Sequence, residues 1–511
     1  MSVEMEQFTQ KTDSKITTSY IAKKVHGELF GPEKIFKGIF NTLGHSKSGD
    51  IVIRHWINPE GIKIASKKEV AGIITQDPRD NAIKYAVKYG ISIIVVEKIE
   101  IANAFALNWT IKKFAPQSHR VVVTGTNGKS TTSHMIFHIL QTAGWNVYTN
   151  TDSKSEFNSL IDPMVPKQIS EYALKLSKSR KKPANSGLID ALVIEVSEVQ
   201  GWLDKVMKGH ALIMTNAINP EIVVITNVAL DHIGLINSLE ESYEEILGSV
   251  KSIKSGVVVL NSNDDLVKKM GSYIDGKTRP FYHGHGCKLE FIDNSYKEIN
   301  SAGLDNVSGI YFNKKLLIAM EKLPFKSKHF IENTLSAISA CICLDISLNQ
   351  IIKGVESYNA LKRRFSVINE HPTIIDDFAH NPDGIKATIK SAAVTSKGKL
   401  WVVCSIRGSR GDEINIINSK AVAESLIELK SEYGLIISGS SDVVDNLNVV
   451  EDHEKKVFLE TLTKYQIEYI FEEELKNALK KVLEISNDND TILLIGAQGM
   501  DPASDLIGEM I

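Results

Sequence analysis

Short, unbroken apolar runs recur along the chain, separated by stretches whose apolar residues fall at helical spacing. A strand covered on both faces has no polar side to alternate with, so such runs suit a parallel sheet layered between helices. Before Gln117 the strand candidates are 50–53, 71–75 and 91–96, and Ala82 to Lys88, apolar at 82, 83, 86 and 87, reads as a helix. Further strands are expected at 120–124, 147–149, 192–196, 222–226 and 257–260, then at 373–377, 400–404, 434–438 and 491–496. An amphipathic helix is read over 475–483, and the polar stretch Ser177 to Asn185 as a solvated loop. The alternation predicts an α/β protein of three domains: a small N-terminal α/β domain over 1–117, a central doubly wound domain over 118–358, and a C-terminal Rossmann-like α/β domain over 359–511. The length of 511 residues agrees, being too long for one core and fitting three units of about 150 residues.

Composition excludes more than it identifies. Apolar residues make up 43% and charged residues 24%, and the net charge of −3 gives no global electrostatic case for a nucleic-acid partner or an anionic membrane. Any anion must be held locally. No apolar run approaches the ~20 residues needed to span a bilayer, and the start, Met-Ser-Val-Glu-Met-Glu-Gln, lacks a basic-then-apolar design. Cys287, Cys341, Cys343 and Cys404 are scattered and form only one C-x-C, which favours core thiols in a reducing compartment over disulfides or zinc. The expectation is a cytoplasmic protein without stable membrane insertion.

One segment carries legible chemistry. Arg120 to Thr132 runs from β-prone residues through Gly125-Thr126-Asn127-Gly128 into Lys129-Ser130-Thr131-Thr132. The glycines let the backbone turn its N–H groups toward anionic oxygens, Lys129 adds a mobile cation, and Ser130 is placed to ligate Mg²⁺ where a helix begins. A lone Gly-Lys-Ser is more often an ordinary turn. Here the apolar helix face of 135–140 and the strand 147–149 follow in the order a phosphate loop requires, making the central domain P-loop ATPase-like and the nucleotide ATP. The loop is shorter than the usual GxxxxGK[ST] form, whose first glycine would fall at Val123. Glu195 ends an apolar strand, and Asp231-His232 shortly follows another, so a carboxylate and an imidazole are expected with Ser130 at one rim, as a metal site needs.

The loop Thr-Gly-Thr-Asn-Gly-Lys-Ser-Thr, the Glu195-Val-Ser strand end, Asn227-Val-Ala-Leu-Asp-His232, the Asn261-Ser-Asn-Asp264-Asp265 turn and Asp376-Asp377-Phe-Ala-His380-Asn381-Pro382 together resemble the Mur ligase superfamily over nearly the whole chain. The resemblance implies domains for the carrier of the carboxylate substrate, for ATP and for the incoming amine, with a first domain similar to a UDP-binding one. It further implies that Lys129 and the amides of Thr126 to Thr131 hold the β- and γ-phosphates, that Ser130 and Glu195 flank Mg²⁺, and that His232 binds a second metal. Asn333 matches an adenine-reading asparagine, although the Pro-Gly before it in that motif is missing. Arg364 matches an arginine at the junction of the last two domains, Asp377 an acid near the nucleotide, and Arg410 in Arg-Gly-Asp a segment lining the amine site. Lys129, Glu195, His232 and Arg410 are the expected catalytic residues.

A departure follows His232. Where wall-peptide ligases commonly place a lysine that carries a carbamate, this chain reads Tyr243-Glu244-Glu245-Ile246-Leu247, so Glu244 or Glu245 is expected to supply a permanent carboxylate to the metal instead. The resemblance implies ATP-dependent amide formation through an acyl phosphate, between a UDP-linked peptide precursor and an amino acid, by an enzyme expected to be a monomer. Ile437 to Asp442 lacks the Asp-Asn-Pro-Arg common in diaminopimelate ligases, which speaks against a bacterial tripeptide ligase, while the glutamates, the Ile- and Lys-rich composition and the retained first domain lean toward pseudomurein peptide synthesis. A bacterial muramyl-peptide ligase and a cyanophycin- or polyglutamate-type ligase are the nearest alternatives. A P-loop hydrolase or an ATP-responsive binding module is the alternative of another class.

Overall fold

The computed structural model describes residues 16–151, 161–180, 187–202, 205–230, 236, 238–293, 307–324 and 327–511. Among them the chain forms three α/β sheets and one two-stranded ribbon, divided between two compact units.

The first unit takes in nearly all of the chain up to Ser357 and holds two sheets. Strands β1 (Glu28–Phe30), β2 (Phe40–Asn41), β3 (Ile51–Ile57), β4 (Gly72–Pro78) and β5 (Ser92–Val95) are ordered β1-β5-β4-β3-β2. All pairs are parallel except β1 with β5. The central sheet contains β6 (His119–Thr124), β7 (Val147–Thr149) and β8 (Ala191–Glu195), then, beyond the ribbon of β9 (Gln200–Trp202) and β10 (Lys205–Met207), β11 (Ile222–Ile225) and β12 (Gly256–Asn261). It is completed by β13 (Thr278–His283), β14 (Leu289–Ile292), β15 (Gly309–Phe312) and β16 (Lys315–Ala319), in the order β16-β15-β14-β13-β12-β11-β6-β8-β7. The strands from β7 to β14 are parallel, as their continuous apolar runs require, whereas β15 and β16 are added antiparallel at one edge. The chain leaves β6 for β7 and β8 on one side and reaches β11 on the other, so β6 stands at the switch point where doubly wound sheets bind ligands.

The two sheets share a core. Helix Ile99–Phe114 is buried along most of its length, packs on helices Met164–Arg180 and His210–Ile218, and joins Phe36, Phe40 and Ile53 to Ile194 and Ile246 in one apolar cluster. Its Asn108 amide donates to the Ala217 carbonyl at 2.7 Å. Helix Met164–Arg180 also takes up the first residues of the expected loop 177–185, of which 181–185 lie outside the described residues.

The second unit, essentially Tyr358 onward, carries β17 (Ser366–Glu370), β18 (Thr373–Asp377), β19 (Leu400–Ser405), β20 (Tyr433–Ser438), β21 (Ile470–Glu472) and β22 (Thr491–Ile495), ordered β17-β18-β22-β19-β20-β21. Only β17 is antiparallel. Its core includes Ile374, Val403, Ile436, Leu475, Leu479 and Leu494. The helix read at 475–483 is Leu475–Ile485, its apolar stripe turned to this core as its spacing requires.

Candidate phosphate site

The carboxyl ends of β6, β7, β8 and β11 meet around the Gly125–Gly128 loop. Both glycines are required by the backbone: Gly125 has φ +126° and Gly128 φ +80°, and a Cβ on either would lie 2.2 Å from a neighbouring oxygen, Thr226 Oγ1 or Asn333 Oδ1. The loop is fastened to the end of β11. Thr226 Oγ1 and Asn227 Nδ2 donate to the Asn127 carbonyl at 2.7 and 2.8 Å, and Thr126 Oγ1 exchanges hydrogen bonds with the Ala229 backbone at 3.1 and 2.9 Å.

That fastening corrects one expectation. The N–H groups of Thr126 and Asn127 are already used, donating to Asn227 O at 3.0 Å and to Asn227 Oδ1 at 2.9 Å. Among the described residues no acceptor faces the N–H of Gly128, Lys129 or Thr131. Lys129, Ser130 and Thr131 are only 5–8% exposed, so this helix start is both buried and open at its positive end, a combination that suits an anion.

Side chains complete the site. Lys129 Nζ donates to Gly125 O and Thr126 O, both at 2.8 Å, and to Glu198 Oε2 at 3.2 Å. Ser130 Oγ donates to Glu195 Oε1 at 3.0 Å while Thr151 Oγ1 donates to Glu195 Oε2 at 2.9 Å. The Glu195 backbone is locked by Asn150, whose carboxamide accepts its N–H at 2.8 Å and donates to its carbonyl at 2.9 Å. Asn333 is buried with its carboxamide against Gly128, so it too is brought to the loop. Ser130 and Glu195 offer hard oxygens at one point, and among the described residues no three His, Cys, Asp or Glu side chains converge as a closed metal cage. This suits Mg²⁺, which takes few protein ligands alongside water and phosphate oxygens.

Glu198 escaped the sequence reading. Its carboxylate is fully buried beside Lys129, and the one signal for it was a second acid three residues after Glu195 in a segment destined for the interior. His210 lies behind it, its Nδ1 carrying the proton it gives to Ser197 O at 2.9 Å and its basicity pushed down to about 4 by burial. Glu245 accepts the Gly209 N–H at 2.8 and 3.0 Å, and burial raises its pKa against the pull of that bond. Glu244 is not brought to the site: one helical position away, it is exposed and pairs with Lys251 at 3.2 Å. His232 and Asp231 lie outside the described residues. A cavity of about 440 Å³ sits elsewhere, at the amino ends of β11 to β13, lined by Glu221, Lys277 and Arg279 among others.

Arg364, Asp377 and Arg410 belong to the second unit. Arg364 lies over the Phe378 ring at 5.0 Å. Asp377 accepts from Ala379 N at 2.9 Å and Thr388 Oγ1 at 3.1 Å; burial raises its pKa, opposed by Arg364. The Arg410 guanidinium reaches Ser409 O at 3.1 Å and Asn448 Oδ1 at 3.4 Å. Arg363, the neighbour of Arg364 in sequence, is structural, being buried with φ +59° and paired with Asp376 and Asp501.

Residues 123–341 match the Mur ligase middle domain and residues 363–498 the Mur ligase, glutamate ligase domain. A UDP-N-acetylmuramoyl-L-alanyl-D-glutamate–2,6-diaminopimelate ligase of Clostridium botulinum is 26% identical over 388 residues, covering 75% of this chain and 73% of the relative. Among solved structures, a MurF ligase from Thermotoga maritima in complex with ADP aligns with a TM-score of 0.64 at 16% identity, over 92% of this chain and 96% of that one. A pseudomurein peptide ligase type C from Methanothermus fervidus aligns with a TM-score of 0.53 at 20% identity, over 91% and 95%.

Proposed function

Because the chain belongs to the Mur ligase family, which makes it an ATP-dependent ligase of carboxylates with amines, we propose that it joins the carboxylate of a UDP-linked peptide precursor to an amino acid in the cytoplasm, releasing ADP and phosphate. The observation that carries this reading is the buried helix start at Lys129, with open N–H groups beside the Lys129 cation and the Ser130–Glu195 pair.

In this reading the N–H groups of Gly128, Lys129 and Thr131 bind the β- and γ-phosphates, and Lys129 follows the charge as the γ-phosphoryl passes to the substrate carboxylate. Ser130 and Glu195 hold Mg²⁺, which when bound offsets phosphate charge. Thr151 and Asn150 keep Glu195 aimed at that place. Asn333 stands beside the loop as the candidate adenine contact, and of the two expected glutamates Glu245 is the candidate permanent carboxylate. The acyl phosphate so formed is attacked by the amino group, and the protein's task is then to position the amine and exclude water. Arg364, Asp377 and Arg410 are the candidates for nucleotide and amine contacts in the second unit.

We assign the wall chemistry to pseudomurein, supported by the missing Asp-Asn-Pro-Arg segment and by Glu245 where a carbamylated lysine is common. The bacterial relative favours a muramyl-peptide precursor as the second reading. ADP release is measured with UDP-peptides of both kinds and pooled amino acids, products being identified by mass spectrometry. Release that requires both substrates is the expected result, and release with neither would replace the ligase by a hydrolase.

A further inference from the structure

Lys129 is held more tightly than a phosphate-seeking lysine needs to be. An ammonium has three donors, and here all three are engaged, two by carbonyls of the very loop that would wrap a phosphate and one by the fully buried Glu198 carboxylate. The Lys129 side chain is itself only 9% exposed, so water contributes little to holding it. A triphosphate can recruit this cation only by replacing at least one acceptor. Replacing Glu198 alone would take the Lys129 cation from a buried carboxylate and bring a polyanion near it, which is unfavourable.

We propose that Glu198 is a positioning residue that parks Lys129 against the loop and makes nucleotide binding conditional on a divalent cation. A metal-free nucleotide meets a lysine already engaged by Glu198 and by the loop carbonyls. A nucleotide arriving with Mg²⁺ carries less negative charge and brings a cation that compensates the carboxylate as Lys129 turns away. The placement of Glu198 fits that exchange, since it lies three residues beyond Glu195, the carboxylate paired with Ser130. The inference rests on the nucleotide reading of the loop and adds the residue that sets its metal dependence.

The test is ADP binding by calorimetry to the full chain, in EDTA and in Mg²⁺, for the wild type, Glu198→Gln, Lys129→Met and the double variant. Glu198→Gln is expected to tighten ADP binding in EDTA by about tenfold, narrowing the gap between the two conditions. The gain must vanish in the Lys129→Met background, because Glu198 acts through the lysine. Unchanged affinity in EDTA, or a gain that survives loss of Lys129, overturns the inference. If Glu198→Gln does not fold, Glu198→Asp, which withdraws the carboxylate while keeping its charge, is read in the same way. A wild-type chain that binds no ADP even with Mg²⁺ fails at the earlier step, removing the nucleotide reading and this inference with it.

Discussion

The loop after β6 and the loop after β19 are built alike, each leading from a parallel strand inside its sheet through glycine into a helix, yet their electrostatics are opposite. After β6 a buried cation, Lys129, is surrounded by acceptors, and among the described residues the N–H groups of Gly128, Lys129 and Thr131 meet no acceptor. After β19 a buried anion, Glu454, gathers the N–H groups of Ser409, Arg410 and Gly411 at 2.9, 2.8 and 2.6 Å. A strand–glycine–helix turn collects inward N–H groups in both cases. What it can bind depends on whether the chain has already supplied the anion. The second loop is satisfied from within and presents the Arg410 side chain instead, whereas the first keeps the room that the proposed phosphate reading requires.

The largest expected effect tests whether the first loop uses its cation. Lys129→Met should lower the rate of ADP release at least about a hundredfold, the scale for losing one donor aimed at developing charge. A rate within a few-fold of wild type would break the contrast.

Acid comes next. His210 and His283 are fully buried in the first unit, and burial holds their pKa values down at about 4 and about 3, below the ordinary 6.5. The unfolded chain therefore takes up protons that the folded one refuses, so stability is full above pH 6.5 and falls between pH 6.5 and 4 by roughly 2–3 kcal/mol per histidine. Denaturant midpoints across that range should decline, and a flat profile would show that neither histidine is held neutral.

Glycine replacements sharpen the comparison at smaller scale. Gly128→Ala combines left-handed strain with a Cβ 2.2 Å from Asn333 Oδ1, and should cost about 3 kcal/mol in urea titrations. Gly411 also has positive φ, at +87°, but a Cβ there meets nothing within 4 Å, so Gly411→Ala should cost only the backbone strain, about 1–2 kcal/mol. Equal losses would mean that the crowding at Asn333 relaxes without penalty. Of similar size, Glu454→Gln turns one oxygen that accepts two backbone N–H groups into a donor facing them, and should cost about 2 kcal/mol in the same titration.

Much of this architecture was readable from pattern because buried parallel strands declare themselves as apolar runs. The strand 373–377 and the helix 82–88 fall where their periodicity puts them. Short edge strands do not announce themselves in the same way. β16 begins with two exposed residues, and β1, β2 and β21 have three residues or fewer, so none offers a run long enough to recognise. The glycine loop was legible as a candidate phosphate site because its residues are contiguous in sequence. Glu198 was not, since its partner Lys129 is 69 residues away, and Glu454 likewise acts on a loop more than 40 residues earlier. Glu244 and Glu245 could not be separated by spacing to a motif. A helix turns about 100° per residue, and only the packing of Tyr243, Ile246, Leu247 and Val250 decides which carboxylate faces inward.

Helix Ile99–Phe114 ties one face of the amino-terminal sheet into the central sheet's interior, while the other face keeps its own apolar cluster of Val52, Ile57, Ile62, Ile73 and Ile93. Scanning calorimetry should accordingly resolve two heat-absorption peaks and not three, because the amino-terminal sheet cannot melt without opening the core it shares. A fragment ending before this helix would lose the aromatic packing of Phe36 and Phe40 on Trp109, and should come out of expression as an aggregate.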